Sequence, residues 1–114
     1  MLYSVSLKRN RDFRRLYGKG KSAAAPSAVL YCRRNGTGEN RLGITVGAKI
    51  GGAVRRNRIR RRLREIYRTN EARFLRGRDI VLVARVRAAH CSYRNLERDV
   101  LSLAERLGLL KGEE

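Results

Sequence analysis

The chain has 114 residues, with 28 Lys+Arg against 10 Asp+Glu and a formal charge of +18. That length bounds it to one domain, 1–114, with a single core and no room for a second catalytic unit. An apolar content of 42% suffices for folding, while self-repulsion of this size on a small globule calls for a polyanionic partner, nucleic acid before membrane.

In chain order, Asn10 is the expected cap of a short helix. Asp12 lies in its first turn, Phe13, Leu16 and Tyr17 on one face, and Gly18 stops it. A glycine- and lysine-rich segment, 18–22, follows. The run 28–32 (AVLYC) reads as a strand and 41–46 (RLGITV) as another. The turn chemistry of 34–40 between them predicts an antiparallel hairpin. Gly51-Gly52 opens a long helix whose Ile59, Leu63, Ile66, Tyr67 and Asn70 share a face. At about 100° per residue from Ile59, Asn57, Arg58, Arg60, Arg61, Arg64, Glu65 and Arg68 fill the opposite arc. Residues 79–86 (DIVLVARV) form a near-continuous apolar run, as expected of a central strand covered on both sides. Ser92 caps a last helix with Leu96, Val100, Leu103, Leu107 and Leu110 on one stripe. The expectation is an α+β, single-domain α/β sandwich with three helices on a small mixed sheet of three to four strands. The optional strand lies near Ser22–Ala25, and the segment from the hairpin to the third strand is long enough for a crossover.

Residues 97–114 carry a net charge of −2, so residues 1–96 carry +20 and hold the binding face. Its densest part is 55–64 (RRNRIRRRLR), eight of ten residues being Arg or Asn. Solubility alone would be served by mixed charges, whereas guanidinium groups without carboxylate partners fit phosphate in two-point fashion and stack on bases. RNA is favoured over duplex DNA because no second helix with a tight turn precedes this one and no dimerising heptad is present. Phe13, Tyr17 and Tyr31 can stack unpaired bases, although ordinary core packing is the better account of any one of them alone.

Nothing in the chain assembles into a catalytic set of its own. Asp12, Glu39, Glu65, Glu71 and Asp79 are scattered among arginines, where helix capping or pairing with arginine accounts for them, and His90 has no second histidine. Cys32 and Cys91, far apart and with no CxxC pair, do not make a zinc site and read as reduced thiols. The stretch 47–52 (GAKIGG) lacks the terminal Lys-Ser/Thr of a P-loop. No apolar run of about 18 residues and no secretory leader is visible, so a cytoplasmic protein without a membrane partner is expected.

The run from Arg41-Leu42-Gly43-Ile44-Thr45-Val46 through Gly51, Ala53-Val54 and Arg56-Asn57-Arg58 to Leu63-Arg64-Glu65 resembles the RNR signature of the bacterial ribonuclease P protein family. Leu7 to Asn10, Asp12-Phe13, Tyr17, 18–22, 29–31, 79–85 and Ser92-Tyr93 follow in that family's order, so the likeness covers about Leu7 to Leu110. Tyr17 stands where the family commonly has phenylalanine, Gly47-Ala48-Lys49 where Ser-Lys-Lys is frequent, and Gly51-Gly52 where Gly-Asn is usual.

The resemblance implies an accessory subunit of an endoribonuclease that removes the 5′ leader of precursor tRNA. The chemistry and the magnesium ions would then reside in the RNA subunit, with no catalytic or metal-binding side chain in this chain and no obligate protein partner. It implies contacts to the catalytic RNA by Arg56, Asn57, Arg58, Arg60, Arg61 and Arg64, with Arg55, Arg62, Arg68 and Lys49 extending the surface. It further implies a leader cleft at Phe13, Tyr17, Tyr31 and Lys49, and a left-handed crossover in the sheet, against the usual hand. The competing expectation is a non-catalytic structural RNA binder such as a ribosomal protein or an RNA chaperone. A DNA-compacting protein is a third, which would bind duplex DNA and structured RNA equally.

Overall fold

A computed structural model describes residues 1–112; Glu113 and Glu114 of the acidic end lie outside the described residues. Five strands, β1 (Ser4–Ser6), β2 (Lys21–Ala24), β3 (Ala28–Arg34), β4 (Asn40–Thr45) and β5 (Arg78–Ala84), form one mixed sheet in the order β1-β4-β5-β3-β2. Three helices pack on it: α1 (Asn10–Lys19), α2 (Ala53–Asn70) and α3 (Tyr93–Arg106). β4 runs parallel to both β1 and β5, and β3 runs antiparallel to β5 and β2.

The α+β class, the three helices and the mixed sheet agree with the sequence expectation, but there are five strands, one more than the upper count of four. The short strand expected near Ser22–Ala25 is β2, and the addition is β1, two of whose three residues are serine. The expected β3–β4 hairpin does not form. β5 inserts between the two strands, with Leu30 and Leu42 flanking Leu82 and Ile80 respectively. The turn chemistry is used differently: the Asn35 side chain accepts from the Thr37 amide and hydroxyl and donates to Glu39 O and to Asp79. The loop thus folds on itself and spans the start of β5, where Asn35 N also donates to Gly77 O at 3.0 Å.

Alternation along the strands divides the sheet into two faces. One buries Leu30, Cys32, Leu42, Ile80 and Leu82 under α2 and α3, whose Ile59, Leu63, Ile66, Leu96, Val100 and Leu103 are nearly inaccessible. The other buries Val81 with Leu7 and Leu16 beneath α1, and Phe13, Tyr31 and Val83 flank that smaller cluster. The α2 stripe is the one expected, except that Asn70 is half-buried at its end. Ser92 caps α3 by accepting from Asn95 N at 3.1 Å, but the helix stops at Arg106, so Leu107 and Leu110 join the core from beyond its end. At α1 the cap position is Arg9 rather than Asn10, and the helix runs past Gly18 to Lys19.

β1 is held from a distance. The Glu71 carboxylate, in a residue only 2% exposed, accepts from Leu2 N at 2.6 Å and Tyr3 N at 3.2 Å. The Tyr3 hydroxyl donates to the carbonyls of Glu71 and Phe74, and Ser4 Oγ lies 2.6 Å from the Tyr67 hydroxyl. Asn40, fully buried, donates to the Tyr67 hydroxyl and Leu75 O and accepts from Arg78 N, so every polar atom of its amide is engaged.

Candidate nucleic-acid interface

The arginine surface is built by α2. Its first turn follows Gly51, whose φ of +145° is open to glycine alone and lets the backbone swing into the helix while Arg55 folds across it. Gly52 occupies the cap position and supplies no side-chain acceptor, so the first-turn amides point outward uncapped. Once the apolar stripe is committed to the core, the remaining positions have no place but solvent. Arg55, Asn57, Arg58, Arg61, Arg64 and Arg68 are exposed, and Arg56, Arg60 and Arg62 are half-buried along the seams.

Few of these cations are neutralised. Arg68 pairs with Glu65, and their mutual hydrogen bond holds the exposed Glu65 carboxyl below the usual range. Arg60 donates to Asn57 at 2.9 Å, and Arg62 reaches toward Cys91 O at 3.5 Å. Arg58, Arg61, Arg62, Arg64 and Arg68 line one groove with Tyr93 and Met1, two contacts absent from the sequence reading. Tyr93, in the first turn of α3, packs against the core from a half-buried position.

On the other face, α1 lies across the sheet. Phe13 rests directly on Gly43: a β-carbon there would sit 2.6 Å from the ring, so only glycine admits this approach. One helical turn on, Tyr17 meets Tyr31 edge to face at 4.9 Å between centroids and stays 42% exposed. The structure therefore brings Phe13, Tyr17 and Tyr31 together as one partly open aromatic wall. The Tyr17 hydroxyl hydrogen-bonds Thr45 Oγ1 at 3.0 Å. Thr45 was missed, yet the two-residue period of β4 places Arg41, Gly43 and Thr45 on one face. Lys49 is exposed on the 3-10 turn Ala48–Ile50 beyond β4, and it lines neither the groove at Phe13 nor those of the α2 arginines.

A clamp sets the height of α1. Arg41 donates to both oxygens of Asp79, at 2.7 and 2.6 Å, and reaches Asp12 of α1 at 3.4 Å. The hydrogen bond to Asp79 raises the Arg41 pKa above its ordinary value against the opposing effect of burial, with the two carboxylate charges adding to it. Asp12 and Asp79, like Glu65, thus serve arginines, whereas Glu71 serves the amides of the N-terminal strand. Among the described residues no three His, Cys, Asp or Glu side chains gather into a set able to hold a metal ion.

The two surfaces meet at the sheet edge. One groove is lined by Phe13 from the aromatic wall, Arg60 and Arg64 from α2, and Ser4, Ser6 and Ile44 from β1 and β4. The RNR resemblance implied a basic helix and an aromatic cleft, and the sequence profile of the ribonuclease P family matches residues 1–108. The chain belongs to the ribonuclease P protein family.

The relatives agree along the length of the chain. The ribonuclease P protein component of Natranaerobius thermophilus is 40% identical over 107 residues, which cover 94% of this chain and 93% of that one. That of Clostridioides difficile is 38% identical over 101 residues, 88% of this chain and 89% of the relative. Among solved structures, the RNase P protein of Staphylococcus aureus superposes with a TM-score of 0.84 at 32% identity, covering 96% and 98% of the two chains. The RNase P protein of Thermotoga maritima gives 0.82 at 33%, covering 95% and 99%. As a ribonuclease P protein component, the chain is an accessory subunit whose partner is the ribonuclease P RNA, and the ribosomal and chaperone readings are not favoured. No helix of the described residues is long and apolar enough to cross a membrane.

Proposed function

We propose that this subunit binds the catalytic RNA through the α2 arginines and takes the single-stranded 5′ leader of precursor tRNA along the Phe13–Tyr17–Tyr31 wall. The observation that carries this reading is the shared edge groove, where Phe13 and the α2 residues Arg60 and Arg64 line one space. A strand stacked on the aromatic wall passes directly onto guanidinium groups there, so substrate and catalytic RNA are neutralised at their junction. Stacking on Tyr17 and Tyr31 tolerates any base, and arginine forks contact phosphate oxygens in pairs. Lys49, exposed on the turn beyond β4 and outside these grooves, offers a further positive charge to the RNA.

Chemistry belongs to the RNA, whose bound magnesium ions this chain supplements with positive charge, lowering the magnesium concentration needed for cleavage. The test combines the protein, a transcribed bacterial ribonuclease P RNA and a precursor tRNA at low magnesium. Leader release that requires both components, and that is weakened by Tyr17→Ala together with Tyr31→Ala, is the expected result. Unchanged magnesium dependence with and without the protein would sink the reading.

A further inference from the structure

A second basic groove lies on the half of the sheet away from the arginine helix. α2 packs over β4, whereas α3 covers β3 and β2, and it is at the end of α3 that this groove opens. Lys19, Lys21, Arg33, Arg34 and Arg78 rim it, over a floor of Cys32, Leu107 and Leu109. Among the described residues no carboxylate lines it, and none of the five cations has a salt bridge.

Their convergence is also felt by the floor. Burial pushes the Cys32 thiol up, and Lys21 and Arg78 both pull against it. The α3 carbonyls that could otherwise occupy these cations are met by the chain itself: Leu107, Gly108 and Leu109 amides donate back to Leu103, Glu105 and Ala104. Five like charges held around one hollow repel each other, and an anion placed between them relieves that repulsion.

The groove lies on the sheet face opposite the aromatic wall, and Lys19 of α1, which lines it, links the two around the β2 edge of the sheet. Lys19 follows Tyr17 by two residues in the last turn of α1, and Lys21 pairs in the sheet with Cys32, next to Tyr31. We infer that this groove holds the phosphate backbone of the outer leader, the single-stranded RNA lying beyond the nucleotides stacked on Tyr17 and Tyr31. The inference rests on the leader-cleft reading above. An apolar floor beneath a basic rim suits an unpaired strand, which can lay a base on Leu107 while its phosphates meet the cations.

The test uses the reconstituted holoenzyme and three substrates: mature tRNA, a precursor whose short leader ends in the aromatic cleft, and one with a long leader. Lys19, Lys21 and Arg34 are all exposed, so K19Q, K21Q and R34Q combined leaves the core intact. Expected is a loss of roughly tenfold in affinity for the long-leader precursor, with its salt slope shallower by about 2 and the short-leader precursor unchanged. A second variant, in which K19R and K21R accompany R34Q, keeps the charge at two of the three positions and recovers most of the lost affinity. An equal loss on both precursors, or on neither, overturns the inference; the first places the groove on the catalytic RNA or the tRNA body. A wild-type holoenzyme that binds mature tRNA and both precursors alike overturns the leader-cleft reading as well, which separates the two failures.

Discussion

At the scale of single residues, the cleft depends on groups that line none of its aromatic wall. Arg41 satisfies two carboxylates at once, and Asp12 and Asp79 have side chains only 10% and 9% exposed. Arg41→Ala leaves both acids facing each other without a cation. Breaking a fully buried pair costs about 3–5 kcal/mol; because the Arg41 side chain is itself 36% exposed, a loss of about 2 kcal/mol is expected in denaturant unfolding. Gly43→Ala acts differently, driving the Phe13 ring out of its seat and reshaping the cleft. Equilibrium binding of a leader oligonucleotide should then fall several-fold while RNA-subunit binding stays unchanged. The aromatic trio was legible in the sequence as residue types. Its assembly was not, because the contact of Phe13 with Gly43 is written only in the absence of a side chain.

At the scale of elements, periodicity told most where one face is buried and the other is not. The α2 stripe was readable for that reason; the apolar run of β5 was readable because both of its faces are buried, and the Ser92 cap from its local side-chain chemistry. β1 was invisible because a polar Ser-Val-Ser segment has no strand signal of its own. It is made by pairing with β4 and by Glu71, a residue more than sixty positions away. That dependence has a pH signature. Burial pushes the Glu71 carboxyl up, but hydrogen bonds from the Ser4 hydroxyl and the Leu2 and Tyr3 amides, together with the N-terminal ammonium, outweigh it and hold the group below its ordinary value. A depressed carboxyl stabilises fully above the unfolded-state value and loses that contribution as pH falls through the folded one. Stability measured into the acid range should therefore decline, and Glu71→Gln should flatten the decline while lowering stability at neutral pH.

At the scale of the molecule, the net charge sets the conditions for folding. With +18 distributed mainly over residues 1–96, repulsion opposes the compact state, and the Debye length shortens from about 30 Å at 0.01 M salt to about 8 Å at 0.15 M. Thermal unfolding should accordingly shift upward over that range, and more with a polyvalent anion than with chloride at equal ionic strength. A melting temperature independent of salt would mean that the cations are already neutralised within the fold. The charge and the fold class were evident in the sequence, but the strand order was not. The loop 35–39 has the composition of a hairpin turn, and only the path of β5 beneath it shows that it bridges two strands that are not neighbours.

The insertion of β5 between β3 and β4 has a consequence for synthesis. Both strands lack their shared neighbour until Arg78–Ala84 has left the ribosome, by which time the whole arginine helix has already emerged. A nascent chain at that stage is a polycation without its central strand, held close to ribosomal RNA, the largest polyanion in its vicinity. Arrested chains whose segment outside the exit tunnel ends just before residue 78 or just after residue 92 should differ sharply in protease resistance of the emerged segment, because release from that surface depends on the arrival of β5.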